Sequence, residues 1–306
     1  MIEVQNLSKF FGATRAVDDI TFKIGKGEIV AFLGPNGAGK TTTMRMLTGF
    51  LPPTRGKCFI NGIDISVDPI KPKELIGYLP EDNPLYPDMK VYEYLEFIGE
   101  VRKIANLRSR VSEVAEICGI TGVLNKEIGT LSRGYRQRVG VAQAIIHNPD
   151  ILILDEPTEG LDPNQVVELR NLIKELGKEK TVMLSTHILS EAEATCERVL
   201  IINKGKLIAD GNKNEIRTMA RGGETITLEL IAPQNPIEEL NKISGVKEVT
   251  IKQSEGNHHL FEILSEKDIR ERLFDTAVSK NWKIIELHRK STSLEDIFRE
   301  LTKEEA

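Results

Sequence analysis

A glycine-rich stretch that ends in one lysine and three threonines lies between two apolar segments near the start of the chain. Its first part, "GPNGAGKT", covers residues 34–41 and fits the pattern GxxxxGK[ST]. Glycines let such a loop curl so that successive backbone N–H groups converge on phosphate oxygens at a helix N-terminus. The Lys40 amine would then reach the β- and γ-phosphates of a nucleotide, and the Thr41 hydroxyl would ligate Mg²⁺. A chance glycine-rich turn is the alternative, which the strand pattern before the loop and the helical pattern after it disfavour.

Two adjacent carboxylates follow a second apolar segment. Asp155 and Glu156 come directly after "ILIL" (151–154). Two charges at the end of a buried strand are unfavourable unless a cation or a reacting water uses them. We therefore expect Asp155 to lie in a Mg²⁺ shell and Glu156 to polarise an attacking water. The alternative is an acidic strand end that caps the following helix.

The elements that must position these motifs alternate between strands and helices. Buried-strand patterns occur at 27–34 and 180–187, and "RVLIINKGKLIADG" (198–211) predicts a hairpin around Lys204–Gly205. Helical patterns lie between the strands, including residues 164–178, whose apolar side chains share one face. This alternation predicts an α/β fold with a mostly parallel sheet.

Two additions to this alternation are predicted. Short strands in the first fifty residues and in "GKCFINGIDI" (56–65) indicate a small antiparallel sheet. Helical sequence at 91–118 indicates an inserted helical subdomain, which we place at about residues 88–148. The composition then changes at Arg221–Gly223, which predicts that a first domain ends there, at residues 1–220.

A small α+β accessory domain is predicted for residues 222–306. Its elements follow the order β-α-β-β-α-β, which is the ferredoxin-like order. The predicted elements are strands at 224–231, 246–254, 258–264 and 282–288 and helices at 236–243 and 268–280, followed by a last helix at 293–304. Because this part of the sequence has no recognisable catalytic cluster, we expect it to regulate or dimerise rather than catalyse.

Bulk properties of the sequence narrow the class of protein. The chain has 306 residues, a net charge of −5 and a pI near 5.7, so no basic surface indicates a nucleic-acid partner. Its 3 cysteines are far apart, which favours reduced thiols over a disulfide framework. Its 5 histidines lack zinc-ligand spacing, and no apolar run approaches the roughly 20 residues of a membrane span. These features, with an N-terminus unlike a signal peptide, indicate a soluble intracellular protein.

Several motifs of the first domain resemble those of the ABC ATPases. "LSRGYRQRVGVAQAIIHNPDILILDEPTEGLDP" resembles their signature, Walker B and D-loop run, and "LSTH" resembles their switch histidine. "GYLPED" resembles the Q-loop, and Phe11 before Gly12 resembles the adenine-stacking aromatic. The resemblance covers about residues 1–215. Within the family the chain is most similar to the ATP-binding subunits of ABC-2-type exporters, and "YLPEDNPLY" with "SRGYRQRVG" is similar to the gliding-motility-associated branch.

The resemblance implies a P-loop ABC ATPase core and a head-to-tail homodimer that holds two ATP molecules with Mg²⁺ between its subunits. It implies Glu156 and His187 as catalytic residues, and Thr41, Glu81 and Asp155 as metal ligands. The implied nucleotide-binding residues are Phe11, Asn36, Gly37, Ala38, Gly39, Lys40, Thr41, Thr42, Glu81, Ser132, Gly134 and Asp162. Of these, the signature serine and glycine would reach the nucleotide of the opposite subunit.

The resemblance also implies a role, to which two alternatives stay open. An ATPase without a membrane span would power a separate integral-membrane permease for export and would lie, through that permease, on the cytoplasmic inner face of the cell membrane. The first alternative is a non-transport ABC protein that acts on the ribosome or on DNA. The second is a regulatory subunit that binds ATP with little turnover, because Glu81 replaces the usual Q-loop glutamine and Arg133 and Tyr135 replace the usual signature glycine and glutamine.

Overall fold

The computed structural model describes residues 1–212, 215–216 and 224–290. The chain forms two compact units, Met1–Lys213 and Asn214–Ala306. Each unit has its own hydrophobic core.

Two sequence predictions lie outside the described residues. These are the composition break at Arg221–Gly223 and the last helix at 293–304. Within the described ranges, none of the helices combines the length and the apolar character that a membrane crossing requires.

The first unit alternates strands with helices along most of its length. Its strands are β1 (Ile2–Phe11), β2 (Thr14–Ile24), β3 (Ile29–Leu33), β4 (Arg55–Ile60), β5 (Ile63–Asp64), β6 (Ile76–Leu79), β7 (Ile151–Leu154), β8 (Thr181–Thr186), β9 (Arg198–Asn203) and β10 (Lys206–Asn212). Its helices are α1 (Lys40–Leu47), α2 (Lys71–Leu75), α3 (Val91–Val101), α4 (Leu107–Ile117), α5 (Arg133–Ile145), α6 (Pro163–Gly177) and α7 (Leu189–Thr195).

A six-stranded sheet in the order β10-β9-β3-β8-β7-β6 runs through this unit. Neighbouring strands from β9 to β6 are parallel, and β10 pairs antiparallel with β9. Every side chain of β7 and β8 is buried, as expected for parallel strands that are covered on both faces. The predicted α/β fold with a mostly parallel sheet is therefore confirmed.

Both predicted additions to the sheet are present. A four-stranded antiparallel sheet has the order β2-β1-β4-β5, and its buried side chains share one core with β3 and α1, including Ile20, Phe32 and Met44. Helices α3 and α4 occupy the segment predicted to be helical, and they pack with α5. Their apolar faces are buried at Leu95 and Val114.

The order of the parallel strands determines which loops become neighbours. Strand β8 lies between β3 and β7, and β6 pairs with the far side of β7. The carboxyl ends of parallel strands meet at one edge of a sheet, where open α/β sheets bind their ligands. The loops that follow β3, β6, β7 and β8 carry the glycine-rich stretch, Glu81, the Asp155–Glu156 pair and His187. Four motifs that are distant in sequence are therefore brought to one edge.

The second unit is a small α+β fold. Its strands are β11 (Glu224–Ile231), β12 (Val246–Glu255), β13 (His258–Ser265) and β14 (Lys283–Lys290), and its helices are α8 (Ile237–Asn241) and α9 (Arg270–Ser279). All neighbouring strands are antiparallel, in the order β12-β13-β11-β14. Leu228, Phe261 and Leu273 are buried in its core. The predicted ferredoxin-like order of elements is confirmed.

Candidate functional site

The loop between β3 and α1 curls over two glycines with left-handed backbones. Gly37 has a φ of 79°, and Gly39, which immediately precedes α1, has a φ of 107°. A Cβ atom at Gly39 would lie 2.4 Å from the carbonyl oxygen of Ala16 on β2. Only glycine fits this position, because both the backbone angle and the close approach exclude a side chain. The glycine-rich loop therefore packs directly against the backbone of β2 just before the N-terminus of α1.

A cavity of about 370 Å³ opens at this loop. Its walls come from the glycine-rich loop, from β2 and from the loops that follow β6, β7 and β8. The lining residues are Ala16, Asn36, Gly37, Gly39, Lys40, Thr41, Thr42, Glu81, Glu156, Glu159 and His187. All but two of these were candidates from the sequence. Ala16 carried no signal there, whereas Glu159 could have been found from its place three residues after Glu156.

Lys40 places a nearly buried cation in the wall of the cavity. Its side chain is 6% exposed, and its Nζ donates hydrogen bonds to the carbonyl oxygens of Gly34 at 2.8 Å and Pro35 at 3.3 Å. The same Nζ lies 3.1 Å from Glu156 Oε1. This contact is an ion pair without hydrogen-bond alignment, since Glu156 Oε1 has no hydrogen-bond partner. The ammonium group can therefore turn toward an anionic ligand without breaking a well-aligned bond to the carboxylate.

Ser185 holds the two adjacent carboxylates in place. This buried residue of β8 donates from Oγ to Asp155 Oδ1 at 2.5 Å and accepts from the Glu156 backbone N–H at 2.9 Å. Burial raises the pKa of the Asp155 carboxyl above its ordinary value, and the hydrogen bond from Ser185 offsets only part of that effect. Sequence reasoning missed Ser185, because its bonds to Asp155 and Glu156 depend on β8 lying beside β7 in the sheet.

The residues beside Asp155 fit a divalent cation. Asp155 Oδ2 is buried and has no hydrogen-bond partner. The Thr41 hydroxyl donates to Glu81 Oε2 at 3.3 Å and is near enough to Asp155 to lower the pKa of that carboxyl. Carboxylate and hydroxyl oxygens are the ligands that Mg²⁺ prefers, and a buried carboxylate oxygen without a partner needs a cation or a donor. Thr41, Glu81 and Asp155 can therefore hold the ion expected from the sequence.

Glu156 and His187 form a pair inside the cavity. His187 Nδ1 lies 3.0 Å from Glu156 Oε2, and the His187 side chain is 35% exposed toward the opening. Glu156 has a φ of 44°, a left-handed backbone that costs a residue with a Cβ atom about 1–2 kcal/mol. Its carboxylate thus lies between a lysine and a histidine. This arrangement can accept a proton from a water molecule that enters through the cavity.

Two candidates from the sequence, Phe11 and Ala38, do not line the cavity. Phe11 ends β1, is 51% exposed, and has Lys9 Nζ at 5.3 Å from its ring centroid. An exposed aromatic ring is accessible for stacking on a nucleotide base. Ala38 is buried, and its carbonyl oxygen accepts a hydrogen bond from the Gly205 N–H at 3.0 Å. Ala38 therefore anchors the glycine-rich loop to the β9–β10 turn.

Ser132, Gly134 and Asp162 lie at the starts of two helices, and none of them lines the cavity. The Ser132 hydroxyl accepts a backbone N–H of α5, and Asp162 Oδ1 accepts two backbone N–H groups of α6. Both residues therefore act as N-caps. A Cβ atom at Gly134 would lie 2.5 Å from the Gln165 side chain, so the two helix starts are tightly packed. A single chain does not bring these residues to its own glycine-rich loop.

Known proteins share both parts of the chain. Residues 17–159 match the family model described as "ABC transporter". Residues 211–302 match the model described as "ATP-binding protein DrrA1-3-like, C-terminal domain". The uncharacterised ABC transporter ATP-binding protein YhcH of Bacillus subtilis (strain 168) is 35% identical, over 99% of this chain and 96% of YhcH. The linearmycin resistance ATP-binding protein LnrL of the same organism is 32% identical, over 99% of this chain and 98% of LnrL.

Solved structures show the same core. The ABC transporter cassette MJ0796, solved as a dimer, has a TM-score of 0.64 and 26% identity, over 69% of this chain and 98% of the cassette. That cassette has also been solved as a dimer in a post-hydrolysis state bound to ADP and Pi. Two relatives exceed 30% identity over nearly their full length. The chain therefore belongs to the ATP-binding proteins of ABC transporters and is an ATPase subunit, which binds and hydrolyses ATP to drive transport.

Proposed function

We propose that two copies of this chain form a head-to-tail dimer that hydrolyses ATP with Mg²⁺ and powers export through a separate ABC-2-type membrane permease. LnrL is named for linearmycin resistance, which favours export as the direction of transport. Through the permease, the chain would lie on the cytoplasmic face of the membrane. The strings "YLPEDNPLY" and "SRGYRQRVG" favour the gliding-motility-associated branch of these exporters.

The proposal of a dimer rests on one observation. The cavity of one chain is lined by the phosphate loop, Glu156 and His187, but not by the signature residues Ser132 and Gly134. Ser132 is instead the N-cap of α5, and Gly134 lies in the first turn of that helix. We infer that the opposite subunit places its Ser132 and the N-terminus of its α5 against the γ-phosphate, where the helix dipole favours negative charge. MJ0796, which has the same fold, was solved as a dimer.

The proposed chemistry follows from the charges in the cavity. Lys40 would leave Glu156 and bind the β- and γ-phosphates, which frees the Glu156 carboxylate to take a proton from the attacking water. His187 would donate a hydrogen bond to the γ-phosphate and keep Glu156 oriented. Mg²⁺ held by Thr41, Glu81 and Asp155 would supply charge neutralisation on the phosphate oxygens. Phe11 would stack on the adenine.

The experiment that tests this function is co-purification from the native membrane followed by ATPase measurement. We expect an integral-membrane protein to co-purify with the tagged chain, and we expect the chain to hydrolyse ATP. The ATPase rate per subunit is expected to fall on dilution, because the dimer dissociates. A rate that is independent of dilution would refute the shared site. ATP binding without turnover, with or without the membrane partner, would favour the regulatory alternative suggested by Glu81, Arg133 and Tyr135.

The C-terminal domain predicted from the sequence, residues 222–306, is proposed to be an accessory module that regulates or dimerises. Its sequence has no phosphate-binding or paired-carboxylate motif, and this assignment rests on analogy with other ferredoxin-like modules. A chain ending at Arg221 is expected to bind ATP with an unchanged dissociation constant, measured by titration calorimetry. If a folded truncated chain lost ATP binding, residues 222–306 would have to be part of the nucleotide site.

Replacement of Phe11 by alanine is expected to weaken ATP binding by about 1–3 kcal/mol, since base–aromatic stacking contributes that much elsewhere. The ring is half exposed, so its removal leaves the core intact. Titration of both proteins with ATP measures the difference. Phe50→Ala, which removes a 78% exposed aromatic ring that does not line the cavity, is the matched control. An unchanged affinity in Phe11→Ala would exclude the stacking role.

Glu81→Gln is expected to keep or raise the basal ATPase rate while making it less dependent on Mg²⁺ concentration. A carboxylate attracts the ion and repels the γ-phosphate, and both interactions are large, since even two unit charges 4 Å apart interact by about 4 kcal/mol at an effective dielectric constant of 20. The amide keeps a ligand oxygen for the ion and loses the repulsion. ATPase rates over a Mg²⁺ titration measure the effect, with the adjacent exposed Asp82→Asn as control. If hydrolysis vanished while ATP binding remained, Glu81 would be the catalytic carboxylate in place of Glu156.

A further inference from the structure

Two loops that carry the proposed catalytic pair leave neighbouring strands. The loop after β7 contains Glu156 and continues to Thr158, and the loop after β8 contains His187. Strands β7 and β8 are parallel and in register, with Leu154 opposite Leu184. The distance between the two catalytic side chains is therefore determined by how these two loops are held relative to each other.

A single carboxylate oxygen joins the loop after β7 to the end of β8. Glu191, in the first turn of α7, accepts a hydrogen bond at Oε2 from the Thr158 hydroxyl at 2.5 Å and another from the Thr186 hydroxyl at 3.2 Å. The Thr186 oxygen in turn accepts the Ile188 backbone N–H at 3.0 Å. Thr186 and Ile188 flank His187 on both sides. The backbone that carries the histidine is thus tied to the backbone that carries the glutamate.

Ser185 and Glu191 hold the loop after β7 at two separate points. Ser185 bonds to the Glu156 backbone N–H at the strand end, and Glu191 holds the same loop two residues later at Thr158. The Glu156 backbone between these two points is left-handed, with φ 44°. A residue with a Cβ atom keeps such a conformation only where its surroundings hold it. The 3.0 Å contact between Glu156 Oε2 and His187 Nδ1 therefore depends on both points.

We propose that Glu191 is a positioning residue for ATP hydrolysis, whose Oε2 atom clamps Thr158 to Thr186 and so holds Glu156 and His187 at their working distance. The inference rests on the catalytic roles proposed above for these two residues. What the clamp needs is an acceptor oxygen with two lone pairs. The negative charge of Glu191 is not required, because both donors are neutral hydroxyl groups.

Two substitutions of Glu191 test whether its acceptor oxygen or its negative charge matters for hydrolysis. Glu191→Ala removes the acceptor and is expected to lower kcat about 30-fold, since small misplacement of reacting groups can reduce rates by up to about 100-fold. Glu191→Gln keeps a carbonyl oxygen and is expected to restore kcat to within about threefold of the original protein. The dissociation constant of the non-hydrolysable analogue AMPPNP with Mg²⁺ is expected to stay within about twofold in both variants, since Glu191 does not line the cavity.

Equal kcat losses in Glu191→Ala and Glu191→Gln would overturn the clamp, because the charge would then be what matters. An unchanged kcat in Glu191→Ala would overturn it as well. If Glu191→Ala lost only thermal stability and kept its kcat at lower temperature, the clamp would also be refuted. Glu191 would then only stabilise α7, as a negative charge near the helix N-terminus does. Glu197→Gln, an exposed glutamate just after the same helix, is the matched control.

A second pair of variants decides the matter if Glu191→Ala does not fold. Thr158→Val removes one hydroxyl donor with little change of shape and is expected to lower kcat about tenfold, whereas Thr158→Ser keeps the donor and is expected to restore most of the rate. Equal rates in the two variants would refute the proposal. Failure of the catalytic assignment itself gives a different result, since Glu156→Gln would then hydrolyse ATP normally whatever the Glu191 variants do.

Discussion

Glu156→Gln is expected to lower the rate of ATP hydrolysis by about 10³-fold while ATP binding is retained, since general-base catalysis contributes about 10²–10⁴-fold. Glutamine has the same shape and can keep a hydrogen bond to His187, but it cannot take a proton from water. The Lys40 amine can then bind the phosphates without competition from a carboxylate 3.1 Å away. Phosphate release under saturating ATP measures the rate, and titration calorimetry measures the binding.

The same substitution should make the proposed dimer visible. When ATP cannot be hydrolysed, it stays between the two subunits, so size exclusion with ATP and Mg²⁺ is expected to give a dimer for Glu156→Gln. The unsubstituted chain should return to monomer as it turns ATP over. Glu179→Gln, at an exposed glutamate that does not line the cavity, serves as control. Hydrolysis at the original rate in Glu156→Gln would refute the role of Glu156 as the base.

Lys40→Ala is expected to abolish hydrolysis and to weaken ATP binding by about 3 kcal/mol, or roughly 150-fold, because charge-assisted hydrogen bonds contribute about 1.5–3 kcal/mol each. The Lys40 side chain is 6% exposed, so its attraction to phosphate is little screened by water. Calorimetric titration with ATP measures the loss. Equal affinity in Lys40→Ala and the unsubstituted chain would mean that the cavity does not bind the phosphates at Lys40.

The ion pair adds an effect on stability that needs no nucleotide. Lys40 and Glu156 are both buried, and removing one partner of a buried pair costs about 3–5 kcal/mol because the other charge is left alone. Lys40→Ala is therefore expected to lower the free energy of unfolding in urea by about 3 kcal/mol. The double variant Lys40→Ala with Glu156→Gln should recover most of that loss. A double variant as unstable as Lys40→Ala would attribute the loss to the Gly34 and Pro35 hydrogen bonds.

Residue types and their spacing within short segments were enough to predict much of the fold and of the site. The spacing from Gly34 to Thr41 specifies a loop and a helix start within one short segment, and α1 begins at Lys40 as that pattern requires. The helix predicted at 164–178 is observed at Pro163–Gly177, where proline and an aspartate cap give an unambiguous start. In the second unit, alternating polarity and turn residues gave the order of the described elements.

Some site residues had no local signal because their roles depend on strand order. Ser185 bonds to residues about thirty positions away, and it reaches them only because β7 and β8 are neighbours in the sheet. Glu191 looks from the sequence like an ordinary acidic residue at a helix start. Its two hydroxyl partners are Thr158 in the loop after β7 and Thr186 at the end of β8, which the parallel pairing of these strands brings together.

The sequence by itself determined the chemistry: a phosphate loop, a pair of carboxylates and a histidine, each recognisable from residue type and spacing within a few positions. Tertiary structure decided which atoms meet. It placed Lys40 against Glu156, left Asp155 Oδ2 without a partner, and placed Ser132 and Gly134 outside the cavity. The physical reason is that hydrogen bonds and ion pairs act over about 3–4 Å, and only the folding of the sheet brings distant segments within that range.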